Sequence, residues 1–466
     1  MTTITCPFCF EKFEDTEVYF RLAEISVNTD TTDGATSGGQ LAQMVLEKYS
    51  NDKASSESAE AIDEKLYRKC KDEIKHKWWR RRSQSLPTME NPAFSSESEI
   101  FHEFLYARGV VIGAVDAKEN ETKKRLCPFC HGDLPKSYGL YPTKFISVVG
   151  IRGSGKTVYL SQLFKQCDHQ MLHYWCGISA TISAAAVSFY SKDYVIRKGK
   201  GLPAGTSDRE LRQQLYTIDL TSGVDTPTTI VLYDIAGENC VDSLDDSDKM
   251  EVYGPFVQHS DAILLIIDPY QFRHLHNDLR DLDNADRLEL VSTYDPLAVK
   301  NAMFRMFGAT AEESEAARNV PLALVMTQLD CLTGGEYQEQ NRFNMFTPLE
   351  YGRLSRKGYQ TIEHNSLRTE LESRVFSYRR GAGQGVNYFA AAREDFPSCE
   401  IFAVSALGLE TLVDQDNVLH SNDDEPHRIE EPLLYVLNEM NVINASLPPS
   451  TESSDNHRRG LFSRRG

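Results

Sequence analysis

The sequence predicts an α/β protein: a mostly parallel sheet with one antiparallel edge strand, preceded by a small cysteine module that carries a long insertion. Three observations predict it. Apolar runs of the buried-strand kind recur at 145–149, 262–267, 321–326 and 401–404, as parallel sheets covered on both faces require. A glycine-rich turn, Gly150-Ile151-Arg152-Gly153-Ser154-Gly155-Lys156-Thr157, follows the first run and opens an amphipathic helix. The tetrapeptide Cys-Pro-Phe-Cys occurs twice, at 6–9 and at 127–130.

Composition bounds the function. With 466 residues, 41% hydrophobic and 25% charged, the chain has ample core for two to four units, which excludes a fibrous or wholly disordered protein. A net charge of −18 repels phosphate backbones and anionic lipid, so nucleic acid is the lesser alternative as a partner and would need a local basic patch. The longest apolar stretch, Ala262 to Ile267, falls far short of the ~20 residues that span a bilayer. The start, MTTITCPFCF, has no basic region followed by an apolar run, and a cytoplasmic location is expected.

Along the chain, residues 1–26 hold the first cysteine pair and an alternating stretch, Val18 to Leu22, that reads as a strand. Residues 27–119 read as an insertion, partly disordered: 28–63 are rich in Ser, Thr, Gly, Asp and Glu, with little to bury. Its basic, aromatic part ends in Lys75-His76-Lys77-Trp78-Trp79-Arg80-Arg81-Arg82. That run could stack on bases, but a solvated helix end is the plainer reading. Residues 120–142 return with the second pair, 143–445 keep an α/β rhythm, and 446–466 form a Ser/Pro-rich tail ending in arginines, predicted to be disordered.

Ten cysteines are too few for a disulfide scaffold at this length. Cys6, Cys9, Cys127 and Cys130 instead suit one tetrahedral zinc site, since each CxxC turn presents two sulfurs to one face. The 117 residues between the pairs exceed the usual ribbon loop by about three doublings. That costs ~1.8 kcal/mol against ~10 to 16 kcal/mol from structural zinc. A redox reading also exists, because CPFC resembles the glutaredoxin active site, but the first copy lies too near the start to have a βα unit before it. His131 is a further candidate ligand.

The glycine-rich turn matches GxxxxGK[ST] between a strand and a helix, the context that gives it meaning. Backbone N–H groups of Gly150, Gly153, Ser154 and Gly155 would wrap phosphates, Lys156 would reach the β- and γ-phosphates, and the Thr157 hydroxyl would ligate Mg²⁺. Two strands, 215–220 and 229–233, read as a hairpin running into Asp234-Ile235-Ala236-Gly237. A carboxylate there can hold Mg²⁺ through water, and the glycine can offer its N–H to a γ-phosphate. Later strands end in Thr327-Gln328-Leu329-Asp330 and Ser405-Ala406-Leu407. Such strand ends converge on one edge of an open sheet, where these folds bind ligands.

The order P-loop, DxxG, TQLD, SAL resembles the motifs of the TRAFAC class of P-loop GTPases, and the hairpin resembles the edge of their Ras-like core. The paired knuckles and Arg428-Ile429-Glu430-Glu431-Pro432-Leu433-Leu434 resemble the prokaryotic double-GTPase group. The resemblance implies GTP or GDP as ligand with Mg²⁺. Asp330 would accept from guanine N1–H and the 2-amino group, and the Ala406 N–H would meet the 6-oxygen. Val158, Thr327, Gln328, Ser405 and Leu407 would complete the nucleotide contacts. Asp234 would sit behind Mg²⁺ and Gly237 would sense the γ-phosphate. Members are associated with defence or signalling systems, which implies protein partners, often a second GTPase-like protein.

Three departures qualify it. Gln328 replaces the lysine whose stem packs on the base, so affinity is expected to fall while selectivity survives through Asp330. Glu238 stands where Ras-like enzymes place a water-orienting glutamine; it would be repelled by the γ-phosphate yet could take a proton from water, which implies slow or partner-assisted hydrolysis. The switch threonine has no clear motif; Thr206 is the choice, with Thr217 second because it sits inside a strand. Arg152, Arg209 and Arg212 are candidates for an arginine finger. The resulting expectation is a GTP-hydrolysing switch; an adaptor without turnover and a P-loop ATPase stay open.

Overall fold

The computed structural model describes residues 2–21, 93–98, 100–116, 119–151, 153–169, 172–173, 177–192, 215–242, 247–275, 296–307, 319–328, 368–369, 371–373, 375–380, 384–406, 411–413, 419–421, 426 and 428–443. It divides into two compact units, residues 1–144 with 246–259 and residues 145–245 with 260–466.

In the first unit the two halves of the cysteine module share strands. β1 (Thr3–Thr5) pairs antiparallel with β2 (Lys12–Glu14) around the first cysteine pair. β3 (Tyr19–Arg21) lies between β4 (Ala93–Ser95) and β8 (Arg125–Leu126), so the strand after the first knuckle pairs with the strand before the second. β5 (Phe101–Ala107), β6 (Val110–Asp116) and β7 (Glu121–Thr122) form an antiparallel meander. The helix α4 (Ser247–Gln258) belongs to this unit although it is far away in sequence.

Two buried charges organise this unit. Arg125, fully buried, donates from Nη1 to the Val111 carbonyl at 2.9 Å and from Nη2 to the carbonyls of Pro135, Lys136 and Tyr138 at 3.2, 3.1 and 2.6 Å. Burial presses its guanidinium down to about 10, against the pull of Asp15. Asp15 accepts from the backbone N–H of Thr2 at 2.7 Å and of Val111 at 2.9 Å. Arg125→Met would strand four carbonyls and leave Asp15 without its counter-charge. It is expected to lower the stability of this unit by about 3 to 5 kcal/mol, read as a lower urea midpoint; an unchanged midpoint would refute the assignment.

The second unit is built on a seven-stranded sheet in the order β10-β11-β12-β9-β13-β14-β17. β9 (Thr143–Gly150), β13 (Ala262–Ile267), β14 (Leu322–Met326) and β17 (Cys399–Ala403) run parallel, and β13, β14 and the end of β9 are buried throughout, as their uninterrupted apolar composition demands. β11 (Leu215–Ser222) and β12 (Thr228–Ala236) form the antiparallel hairpin. The short β10 (Ser179–Ile182) pairs antiparallel with β11 on its outer side and becomes the edge. Its four residues alternate too weakly to announce a strand in sequence.

The helices are α1 (Lys156–Asp168), α2 (Ala184–Lys192), α3 (Gly237–Asp242), α5 (Pro296–Met306), α6 (Tyr388–Asp395) and α7 (Glu431–Glu439). Two small hairpins, β15 (Ser377–Arg380) with β16 (Gln384–Asn387) and β18 (Thr411–Val413) with β19 (Leu419–Ser421), also belong to this unit. Tyr159, Leu160, Leu163, Phe164 and Cys167 of α1 are buried in the core, the spacing of a helix with one apolar face. Each fully buried leucine or phenylalanine there contributes about 1.5 to 3 kcal/mol. Phe164 meets Tyr216 of β11 at 4.8 Å and Phe189 of α2 at 5.9 Å, which pins the P-loop helix to the sheet. Among the described residues, no helix is long and apolar enough to cross a membrane.

Candidate functional site

Register brings the candidate motifs to one edge of the second unit's sheet. Ile267 pairs with Met326 and Met326 with Ala403, so Asp268, Thr327 and Val404 leave the sheet side by side. Gly150 pairs with Ile266 in the next strand, and the P-loop departs from the same edge. Gly155 takes φ +76° as α1 begins, a left-handed conformation natural to glycine. A Cβ there would lie 3.3 Å from Thr327 Oγ1 and 3.4 Å from Gln328 Nε2.

Thr327 and Gln328 hold the loop. Thr327 Oγ1 donates to the Ser154 carbonyl at 2.5 Å, and Gln328 Nε2 donates to the Gly153 carbonyl at 3.3 Å and to Asp268 Oδ2 at 3.0 Å. Asp268 is fully buried and also accepts from the Tyr270 N–H at 2.9 Å. Gln328 thus spends its amide on the P-loop and on a buried carboxylate. Gln328→Glu would set two carboxylates and a carbonyl against one another. It is expected to weaken binding of GDP about tenfold or more, near 1.4 kcal/mol, by calorimetry, whereas Gln328→Lys should retain binding through an ion pair with Asp268. Equal affinities for all three proteins would refute this role.

On the other side of the loop, Lys156 Nζ lies 2.6 Å from Asp234 Oδ1 and donates to the Ile235 carbonyl at 2.7 Å. Asp234 is near the end of β12 and Gly237 starts α3. A Cβ on Gly237 would lie 3.0 Å from the Ile151 nitrogen, so the glycine allows the DxxG segment to press on the P-loop backbone. Glu238 is half-buried on α3. Burial lifts the neighbouring Cys240 thiol to about 12, with Lys156 opposing and Glu238 adding to the rise. Thr157 and Val158 are half-buried at the start of α1, Ser154 is buried, Ser405 is fully buried and Ala406 nearly so. Thr217 is buried within β11, its N–H bonded to Ser183 Oγ at 3.2 Å, so it is not available to a ligand. Thr206, Asp330, Leu407, Arg152, Arg209, Arg212 and the basic run 75–82 lie outside the described residues.

In the first unit the two knuckles meet. The sulfurs of Cys6, Cys9, Cys127 and Cys130 lie within 4.8 Å of one another, all buried. Cys6 Sγ is 3.6 Å from Cys130 Sγ, and Cys9 Sγ is 3.8 Å from Cys127 Sγ. A disulfide needs about 2.05 Å, whereas four sulfurs about 2.3 Å from a tetrahedral ion are about 3.8 Å apart. The N–H groups of Phe8 and Phe129 point at Cys6 and Cys127 sulfurs, at 3.3 and 3.4 Å. Burial, reinforced by neighbouring sulfurs, raises the Cys6 thiol well above its ordinary value, and burial raises Cys130 likewise. Removing the protons of Cys6 and Cys130 therefore calls for a cation, which fits a thiolate-ligated metal. His131 sits apart from this donor set: it is buried, takes φ +55°, stacks on Tyr19 at 5.0 Å, and burial presses its imidazole down to about 4.

Sequence reasoning missed Asp268, whose role depends on a partner 60 positions away. A buried-strand run that ends in an aspartate is a weak signal for it.

The family described as Double-GTPase 2 matches residues 144–379. A protein described as an ESX-1 scaffolding and assembly protein, SaeC of Mycolicibacterium smegmatis, is 23% identical over 335 residues, 68% of this chain and 80% of that protein. Similar solved structures include a GTP-binding protein from Sulfolobus solfataricus in complex with GDP (12% identity, TM-score 0.25, 64% of this chain and 52% of that one). Others are an Era variant from Aquifex aeolicus bound to GDP and aluminium fluoride (11%, 0.24, 67% and 61%) and the septin GTPase domain from Chlamydomonas reinhardtii (14%, 0.27, 64% and 93%). The chain thus spans about half the length of the first of these structures and 61% of the second.

Proposed function

This chain belongs to the Double-GTPase 2 family, and from that premise we propose that it is a GTP-binding, GTP-hydrolysing switch that acts on protein partners. The observation that carries the reading is the Lys156–Asp234 pair, which joins the P-loop lysine to the DxxG carboxylate at 2.6 Å. An incoming phosphate competes for the lysine, and the freed Asp234 is then available to Mg²⁺ water beside the Thr157 hydroxyl. Binding of nucleotide and ordering of the DxxG segment thereby become one event, because Gly237 lies against the P-loop backbone.

Catalysis in this reading is positioning and electrostatics. Lys156 and the P-loop N–H groups neutralise the phosphates, Glu238 takes a proton from water, and Thr206 completes the Mg²⁺ shell. Asp330 and the Ala406 N–H read guanine, beside Thr327, Gln328, Ser405, Leu407 and Val158. Zinc on the four cysteines is structural, and its reduced thiolates suit the cytoplasm. A scaffold without turnover is the second reading, favoured by the description of the M. smegmatis relative. Phosphate release from GTP by the purified chain with Mg²⁺ separates the two: slow release that falls further in Glu238→Gln supports the switch. GTP binding with no release, alone or with partners, would leave the scaffold.

A further inference from the structure

The helix after the DxxG segment is carried by the cysteine unit. α3 begins at Gly237, α4 begins at Ser247, and the chain passes into the first unit at 246 and returns to the second at 260. On its return, Ser260 Oγ meets Ser147 Oγ at 2.7 Å, and Asp261 accepts from the Phe145 N–H at 2.8 Å. Both ends of α4 are therefore joined through the chain to the strands and helix of the nucleotide site, while the helix itself belongs to the cysteine unit.

One ring of the first knuckle takes part in the packing of α4. Phe10 follows Cys9 directly and is held at φ +60°, a left-handed conformation that costs a phenylalanine energy and persists only where surroundings impose it. The knuckle imposes it: the Phe10 N–H donates to the Cys6 carbonyl at 3.1 Å and the Cys6 N–H to the Glu11 carbonyl at 2.9 Å. The ring then stacks on His259 (4.3 Å, 15° between planes) and meets Phe256 of α4 edge-on (5.3 Å, 75°). Phe256 is 1% exposed and Phe10 8%. The turn that places two of the four sulfurs therefore also places the seat of α4.

We propose that Phe10 couples metal loading of the cysteine cluster to the nucleotide site through α4, so that the metal-loaded knuckle sets the rate at which nucleotide leaves. The inference rests on the GTP-binding reading above. A knuckle closed on its metal fixes the Phe10 ring, the ring fixes Phe256 and His259, and α4 then restrains the segment that begins at Gly237. A knuckle without metal releases the seat, and α4 no longer restrains that segment. Nucleotide exchange thereby becomes sensitive to zinc supply or to oxidants that strip the thiolates.

The test uses the full chain, its zinc content measured by elemental analysis, and a fluorescent GDP whose dissociation is followed after excess unlabelled GDP. Wild-type protein is compared before and after zinc chelation, with Phe10→Ala and, as a control, Phe13→Ala, whose ring meets Phe129 instead. Chelation should change the dissociation rate about fivefold or more, the low end of couplings between sites. Zinc-loaded Phe10→Ala should already show the changed rate, zinc-loaded Phe13→Ala should keep the wild-type rate, and hydrogen exchange over 250–258 should rise with chelation and with Phe10→Ala alone. Should Phe10→Ala lose its zinc, its rate should equal that of chelated wild type. GDP binding with a rate indifferent to zinc and to Phe10 overturns this proposal alone; wild-type protein that binds no GDP overturns the GTP-binding reading and this proposal with it.

Discussion

Cys127→Ser is expected to leave the purified protein without stoichiometric metal and to abolish the cooperative unfolding transition of the first unit. The four sulfurs come from two segments 118 to 124 positions apart, and the strands around them are short: β1, β2, β3 and β4 have three residues each and β8 two. Strands that short do not hold a sheet together unaided. A structural zinc contributes about 10 to 16 kcal/mol, far more than the ~1.8 kcal/mol of extra loop entropy from the insertion. Loss of one thiolate from a closed tetrahedral site removes most of that contribution. Zinc content by elemental analysis and a thermal melt read the outcome together; a Cys127→Ser protein that melts like wild type and keeps its metal would refute the site.

Lys156→Ala is expected to abolish measurable binding of GDP and GTP, a loss of at least about 100-fold or 2.7 kcal/mol, while the protein stays folded. Lys156 is 12% exposed and lies 2.6 Å from the Asp234 carboxylate. Its removal deletes the cation that the phosphates would meet and leaves Asp234 facing them. The size of the effect follows from that exchange, since an attractive charge is replaced by an uncompensated repulsive one in a partly desolvated site. Asp234→Asn in the same background should restore part of the phosphate affinity by removing the repulsion. An affinity within threefold of wild type for Lys156→Ala would show that nucleotide does not sit on this loop.

What sequence could reveal here follows from where each signal resides. The P-loop, the hairpin into Asp234 and the strands ending at Thr327 and Ser405 are local patterns, and they stand where their patterns put them. The four cysteines were legible because a duplicated motif announces shared ligation. Arg125 and Asp15 were not, because arginine and aspartate ordinarily lie in water and their burial depends on carbonyls brought in from 111 and 135–138. Gln328 is expected in sequence as a weakened base platform; that its amide also lies on Gly153 and Asp268, 175 and 60 positions away, is a contact no local pattern records. The seating of α4 on Phe10 joins residues almost 250 positions apart, and no periodicity records such a contact.

Calorimetric titration of the purified chain with GDP and with ADP, in matched Mg²⁺ buffer without chelator, decides whether this protein selects guanine. Clear preference for GDP is expected, and Asp330→Asn should erode the preference while phosphate binding by Lys156 and the P-loop persists. Equal binding of the two nucleotides, or tighter binding of ADP, would contradict guanine selection.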